Sequence, residues 1–519
     1  SRSVGGVIQP RLGDRMRGRP LWSGRPQAIQ SVAMWSLVIA IVGGGLAVLG
    51  FPPFGLGFLT VPAVAMLLLA LRRAPSALIA ALVGAAYGVI FFGLLMWWIT
   101  RTEAIALLAL IISQSVFVAG FGWFAYLRRN LPLWTWTAAI TGGWALMEVL
   151  RGLMPVGGLA WGGLGYSLAG YAPARGAAAF IGVAGWSLVI VATAAVAVHL
   201  IEGEGNRRLI LWPVGLWVVL LGIGWAWPAV ADGPPLRVTV VQGNSPCVER
   251  CAGDRVAIYE NHLRLTRDLA PGSADLVIWG ESATGFSADP LTNPAVEEAI
   301  RVEANRIGSY FLIGGDRPVG DENFVNANML FDPTGAYVGE YDKRHPVPFG
   351  EYVPWRTVFG LIPATNRVPL DMLRGAGPVV FDIGEGSIGS VISFEGSFSR
   401  YTRDHVRAGA GLMVVATNER SYGVGPAADQ LIDMTRMHAA ENGIDLVQAA
   451  ITGKSAIVTD GGVIDSVTDL YTEEVISGTV HFRTGGRTLS NLLGDWLSTV
   501  AVAALLVLLV YARLNPVGD

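Results

Sequence analysis

Three short stretches carry side chains that could do acyl chemistry together. "VIWGES" ends an apolar run in Glu281, "EYDKRHPVPFGEYVP" presents Lys343, and "SVISFEGSF" runs through Val391 and Ile392 into Ser393. A carboxylate can take a nucleophile's proton. An ammonium can stabilise the oxyanion of a tetrahedral intermediate. A hydroxyl or thiol can hold an acyl group between two half-reactions. Each residue alone has an ordinary reading: Glu281 caps a turn, Lys343 is a hairpin cation, and Ser393 is a strand-end serine. The use of lysine weighs against the ordinary reading of Lys343. Only Lys343 and Lys454 are lysines among the 37 basic residues. Where arginine is the default cation, a retained lysine marks a need for a compact, tunable ammonium. Lys454, in "TGKSA", reads as a loop cation.

The elements that must position these residues alternate. "PPLRVTVVQGN", "ADLVIWGES", "SYFLIGGD", "ANMLFDPTG", "GLMVVATNE" and "IDLVQAAITG" are short apolar runs closed by turn residues. Helical patterns such as "AVEEAIRVEANRIG" and "DQLIDMTRMHAAENG" intervene, the latter stopped by glycine. Strands alternating with helices predict an α/β domain with covered sheets.

The rest of the chain is apolar. Of 519 residues, 52% are hydrophobic and 15% charged, and the mean hydropathy is +0.48. Soluble domains carry about 25% charged residues, so much of this chain belongs in lipid. A net charge of −3 argues against a nucleic-acid partner. Apolar stretches near 32–51, 56–71, 76–98, 103–126, 134–150, 177–200, 209–230 and 493–512 predict about eight membrane spans. Arg2, Arg11, Arg15, Arg17, Arg19 and Arg25, the pairs at 72–73, 128–129 and 207–208, and Arg513 fall on one side of such a bundle. The positive-inside rule makes that side cytoplasmic. Both termini are then inside and the α/β segment outside. The expected division is 1–30, a cytoplasmic Arg-rich segment; 31–231, seven spans; 232–492, an extracytoplasmic catalytic domain; and 493–519, an eighth span with the C-terminus. The aromatics of "FFGLLMWWIT" read as an interfacial belt, and Glu148 with Arg151 as a structural pair or a head-group path. The apolar loop 352–375 reads as a lid or lipid-dipping arm. The Cys247 and Cys251 pair is weak as a metal site and leaves a disulfide and two free thiols equally open.

These motifs resemble the nitrilase, or carbon-nitrogen hydrolase, superfamily with its Glu-Lys-Cys triad. With the flanking spans, the chain resembles the apolipoprotein N-acyltransferase family. "VVQGN", "IWGESA", "YDKRHPVPFGEYVP", "ISFEGSF", "ATNERSYG" and "RMHAAENG" stand in the family's order, as do "FPPFG", "WALMEVLRG" and "LAWGGLGYS" in the apolar part. The resemblance implies an α-β-β-α sandwich on a polytopic helical bundle in the bacterial inner membrane. It implies Glu281 as general base, Lys343 as oxyanion stabiliser and position 393 as nucleophile. Glu351 becomes a second carboxylate near the site, Glu395 a support for the nucleophile's turn, and Phe394 the aromatic neighbour. The implied donor is a membrane phospholipid and the acceptor a diacylglyceryl apolipoprotein. No metal or organic cofactor is implied.

The chain departs from the family at position 393, where cysteine is expected. An alcohol is far less acidic than a thiol of pKa about 8.5, and serine nucleophiles usually rely on histidine. The expectation is a site assembled but slow or inactive, as an engineered Cys→Ser exchange would leave it. Ser421 also stands where the family has tryptophan. Two rival readings are a membrane-tethered amidase and a non-catalytic scaffold for a polyprenol glycosyltransferase.

Overall fold

The structure is a computed structural model describing residues 25–101, 104–203, 206–226, 232–246 and 254–514. Cys247, Cys251 and most of the N-terminal arginines lie outside the described residues, and so does the disulfide question.

Helices come first: α1 (Arg25–Val48), α2 (Thr60–Arg73), α3 (Ala77–Leu95), α4 (Ala104–Arg128), α5 (Leu133–Leu153), α6 (Ala172–Ile201) and α7 (Leu211–Ala226). Lipid offers their apolar surfaces no hydrophobic drive to associate, so close packing must hold them. Glycine permits it where α3 crosses α4. A Cβ on Gly84 would lie 2.3 Å from the Val118 carbonyl oxygen, and one on Gly122 would lie 2.5 Å from that of Ala80. Among the described residues, five apolar helices, Gln30–Val48, Ala77–Leu95, Ala104–Arg128, Ala172–Ile201 and Arg207–Ala226, are long enough to cross a membrane by length and composition. By contrast α2 has 14 residues, and α5 carries Glu148 and Arg151. The expected span count of about eight therefore stands in coarser form, as a bundle of several apolar helices.

The second half begins β1 (Pro235–Gln242), α8 (Asp254–Arg267), β2 (Leu276–Gly285), α9 (Pro294–Ile307), β3 (Tyr310–Val319), β4 (Asn323–Phe331), β5 (Tyr337–Asp342), α10 (Arg356–Phe359) and β6 (Asp371–Met372). It continues β7 (Val380–Ile383), β8 (Gly386–Ile392), α11 (Ser399–Ala408), β9 (Leu412–Thr417), α12 (Ala427–Asn442), β10 (Leu446–Ala450), β11 (Ala456–Val458), β12 (Ile464–Val467), β13 (Glu474–His481), α13 (Leu489–Leu493) and α14 (Trp496–Leu514). One sheet runs β13-β1-β2-β3-β4-β5 with β6 on β4, the other β12-β11-β10-β9-β8-β7. The central strands β1–β3 and β8–β10 are parallel, and their central residues are buried, as in strands covered on both faces. Leu236, Ile278, Leu312, Ile388 and Val414 fill the space between the sheets. Ile258, Ile300 and Trp279 pack α8 and α9 on one outer face, and Val406, Ile432 and Met413 pack α11 and α12 on the other.

Helix α12 serves both halves. Ile432 and Ala439 face its sheet, while Leu431, Met434 and Met437 join the core of the helical bundle. Neutral hydrogen bonds accompany the packing. Trp161 Nε1 donates to Gln430 Oε1 at 2.8 Å, and Gln430 Nε2 donates to the carbonyls of Pro52 and Leu95 at 3.3 Å. Tyr166 Oη lies 2.8 Å from His438 Nε2. The sandwich also completes a broken helix. Gly182 in α6 has φ 67°, which interrupts the helical ladder, and the freed N–H of Val183 donates to Glu441 Oε2 at 3.2 Å.

Candidate active site

Glu281 sits on a bulge. Trp279 pairs with Ile313 and Thr284 with Gly315, so β2 advances five residues while β3 advances two. The extra chain turns the Glu281 side chain out of the ladder, and the next residue, Ser282, has φ 58°. Close backbone approach surrounds the bulge, since a Cβ on Gly280 would lie 2.8 Å from the Thr417 carbonyl oxygen and one on Gly314 2.4 Å from that of Gly280. Glu281 is 4% exposed. Its Oε1 accepts from Lys343 Nζ at 2.9 Å and from Asn326 Nδ2 at 2.8 Å. Its Oε2 takes no hydrogen bond among the described residues.

Lys343 follows β5 and is fully buried. Its backbone N–H continues the β4–β5 ladder to the Asn326 carbonyl at 2.9 Å. Its Nζ reaches Glu281 and also Glu351 Oε1 at 2.6 Å. Burial alone would push the ammonium down, but the two carboxylates outweigh it and hold its pKa well above the lysine range. Two carboxylates against one cation leave a buried excess of negative charge. Glu351 is accordingly pushed up, by burial foremost, with Lys343 opposing. Glu351 Oε2 accepts the N–H of Val347, which ties the loop back on itself. An ammonium has three donors. Two are spent on carboxylates, and the third has no partner among the described residues.

Ser393 opens the 3₁₀ turn Ser393–Ser397 directly after β8. Its φ is 55°, a left-handed value that a non-glycine residue adopts at a cost. Its hydroxyl takes no hydrogen bond among the described residues. Glu395 holds this turn against the lysine loop. Its Oε2 accepts the N–H of Ile392 at 2.8 Å and Tyr341 Oη at 2.9 Å. Its Oε1 accepts the N–H groups of Arg344 at 2.6 Å and His345 at 3.0 Å. One buried carboxylate therefore fixes the residue before Ser393 and the two after Lys343. Burial pushes Glu395 up, so four donors have to keep it in place. Phe394 lies edge-on to His345 and Phe398, with ring centroids 5.1 Å apart in both cases, and packs against the bundle core. His345 is held neutral, at about 3, by burial and then by Arg400.

The structure thus brings Glu281, Lys343 and Glu351 into contact and ties the Ser393 turn to Lys343 through Glu395. It adds residues that sequence reasoning passed over. Asn326 and Asn418 both touch Glu281, Asn418 Nδ2 donating to its carbonyl at 3.4 Å. Glu419, with φ 57°, is buried beside them and pushed up to about 8, chiefly by burial. The available signal for Asn326 was periodicity: in "VNANML" it shares a strand face with Asn328 and core Leu330, where apolar residues belong. Of the aromatics in "FFGLLMWWIT", Trp97 is exposed, whereas Phe91, Phe92 and Trp98 are buried, which the belt reading does not fit. Trp98 is buried, with its ring 4.5 Å from Tyr422 and 5.3 Å from Trp161. It therefore packs beside the catalytic half. Loop 352–375 does expose apolar side chains, Trp355 at 65%, Val358 at 62% and Leu361 at 84%. Arg356 and Asp371 pin its base.

Comparisons with known proteins bear on both halves of the chain. The family described as "Apolipoprotein N-acyltransferase N-terminal domain" matches residues 43–196, and "Carbon-nitrogen hydrolase" matches 237–488. An apolipoprotein N-acyltransferase of Geobacter metallireducens is 31% identical, covering 92% of this chain and 95% of its own. One of Nitrosomonas europaea is 28% identical, covering 84% and 89%. Among solved structures, an amidase from Nesterenkonia sp. is 16% identical over 49% of this chain and 93% of its own. Its TM-score of 0.36 is too low to argue from. With a bundle matching one domain of that family and a sandwich matching the other, the chain belongs to the apolipoprotein N-acyltransferases.

Proposed function

We propose that this protein transfers an acyl chain from a membrane phospholipid to the α-amine of an N-terminal diacylglyceryl-cysteine. The observation that carries the reading is the buried Glu281–Lys343–Glu351 cluster, tied through Glu395 to a left-handed turn at position 393 whose neighbour Phe394 packs on the apolar bundle. In the first half-reaction the nucleophile at 393 attacks the donor's ester carbonyl, and Glu281 Oε2 takes its proton. The third N–H of Lys343 meets the oxyanion. The C–O bond breaks and the lysophospholipid leaves with the proton from Glu281. In the second, the lipoprotein amine attacks the acyl-enzyme and gives its proton to Glu281. The amide forms and the nucleophile is reprotonated. The exposed arm at 355–362 fits a path by which acyl chains arrive from the bilayer.

On this reading the site division is 31–231 and 493–519 for the bundle and 232–492 for the catalytic domain, in the inner membrane, with both termini cytoplasmic and the sandwich outside. The membrane half of the chain favours lipid substrates over the soluble amide of an amidase. Ser393 sets the pace: Glu281 is a base matched to a thiol, and a serine alcohol leaves the first half-reaction slow. The test is Ser393→Cys with phospholipid vesicles and a diacylglyceryl-cysteine peptide. The expected result is a peptide mass gain of one acyl chain, at least about 100-fold faster than with Ser393. No gain, or release of free fatty acid or ammonia alone, would sink the acyltransferase reading.

A further inference from the structure

Glu281 has two oxygens, and catalysis needs one of them free and aimed at the nucleophile. The structure shows what holds the other. Asn326 Nδ2 donates to Oε1 at 2.8 Å, on the same oxygen that Lys343 contacts at 2.9 Å. The orientation of the amide follows from charge, because turning Asn326 over would set its Oδ1 against a carboxylate oxygen. Oδ1 itself is buried without a partner among the described residues. A half-satisfied amide on a core-facing strand position is costly, and a leucine would fill the space, so the polar residue there calls for a purpose. The main chain of Asn326 supplies a second hold, since its carbonyl accepts the Lys343 N–H at 2.9 Å.

We propose that Asn326 is a positioning residue for the acyl transfer. Its side chain pins Oε1 of the base and leaves Oε2 for the nucleophile's proton, while its carbonyl sets the strand position of Lys343. The assignment rests on the function proposed above. It deepens that function, because one residue of β4 fixes the base and the oxyanion donor relative to each other. It also predicts an electrostatic effect, since an N–H donor on a carboxylate favours its ionised form. The other charged or titratable groups facing Glu281 are Lys343 and Glu351 from the loop after β5, Asp316 from β3, and Glu419 and Tyr422 from the segment after β9. Removing the amide leaves all of them in place.

The experiment uses full-length Ser393→Cys protein with phospholipid vesicles and a diacylglyceryl peptide. The pH dependence of kcat/KM is measured with Asn326, Asn326→Ala and Asn326→Asp. In Asn326→Ala the loss of aim is expected to lower kcat/KM about ten-fold above the acidic limb, and the limb to move up by about one unit, so that the loss deepens roughly a further ten-fold below it. The limb should move further in Asn326→Asp, which keeps the shape but replaces the donor by an acceptor. A rate lowered equally at every pH, or an unmoved limb in Asn326→Asp, overturns the assignment. Glu281→Gln separates the two layers. If it abolishes the limb while the Asn326 variants do not move it, only the positioning role falls. If Glu281→Gln leaves the profile unchanged, or Ser393→Cys acylates nothing, the function and the positioning role fall together.

Discussion

Two polar clusters lie deep in this molecule, and they are built differently. At the candidate site, Glu281, Lys343 and Glu395 are ionisable groups taken out of water, with Glu351 half-buried beside them. At the seam where α12 enters the bundle, Trp161, Gln430, Tyr166 and His438 meet as neutral groups, His438 held at about 3 by burial and then by Arg403. Burying a charge costs several kcal/mol unless partners repay it, whereas a neutral hydrogen bond exchanges cheaply with water and nets about 1 kcal/mol. The seam has only to join two halves of a chain. The site keeps charges because a base and an oxyanion stabiliser need them. The difference teaches that the site keeps its charges where chemistry needs them, while this patch of the seam is joined by neutral hydrogen bonds.

The comparison is broken most easily at Lys343. In the Ser393→Cys background, Lys343→Met is expected to slow peptide acylation by about 100- to 1000-fold, the scale of one lost oxyanion donor. A loss under ten-fold would mean that the charge is structural. Glu395→Gln comes next. It touches no reacting atom, but a glutamine offers one acceptor oxygen where four donors converge. A fall of about ten-fold in rate and of roughly 1.5–3 kcal/mol in stability is expected, read by acylation and by thermal unfolding in detergent. A change in rate alone would place Glu395 in the chemistry itself.

How much of this was legible in advance depended on the same distinction. Glu281 and Ser393 announced themselves because reactive types close apolar runs, although Glu281 sits inside β2, and Lys343 because lysine is so scarce here. The α/β alternation was equally plain. Asn326 and Glu419 were not, since an asparagine in a strand and a glutamate in a turn gain meaning only from what faces them across chain separations a sequence does not display. The span count was blurred for a physical reason too. α2 is short and α5 carries a glutamate and an arginine that the protein, not lipid, surrounds.

Two smaller tests sharpen the contrast. Gln430→Leu removes the seam's central amide and leaves Trp161 Nε1 without its acceptor. It should cost roughly 1–3 kcal/mol of thermal stability, with acylation reduced less than ten-fold. A larger loss of rate would make the seam part of the site. Glu419 gives a pH test. Its ordinary carboxyl pKa applies unfolded and about 8 applies folded. Stability is therefore full below the ordinary value, drains as pH rises between the two, and stays low above 8. Glu419→Gln should raise the melting temperature at pH 9 and leave it unchanged at pH 4. An equal shift at both values would deny the buried carboxyl its proton.

The break in α6 carries a consequence for how the chain is made. The amide of Val183 is met by Glu441, which a ribosome adds 258 residues later. When α6 first enters the membrane, its second half begins with an unanswered donor. The helix waits unfinished through the synthesis of β1 to β9. Only when α12 packs against the bundle does the carboxylate arrive. The bundle is thus not a finished platform on which an enzyme is set down, and the last stitch in its longest helix is made by the enzyme.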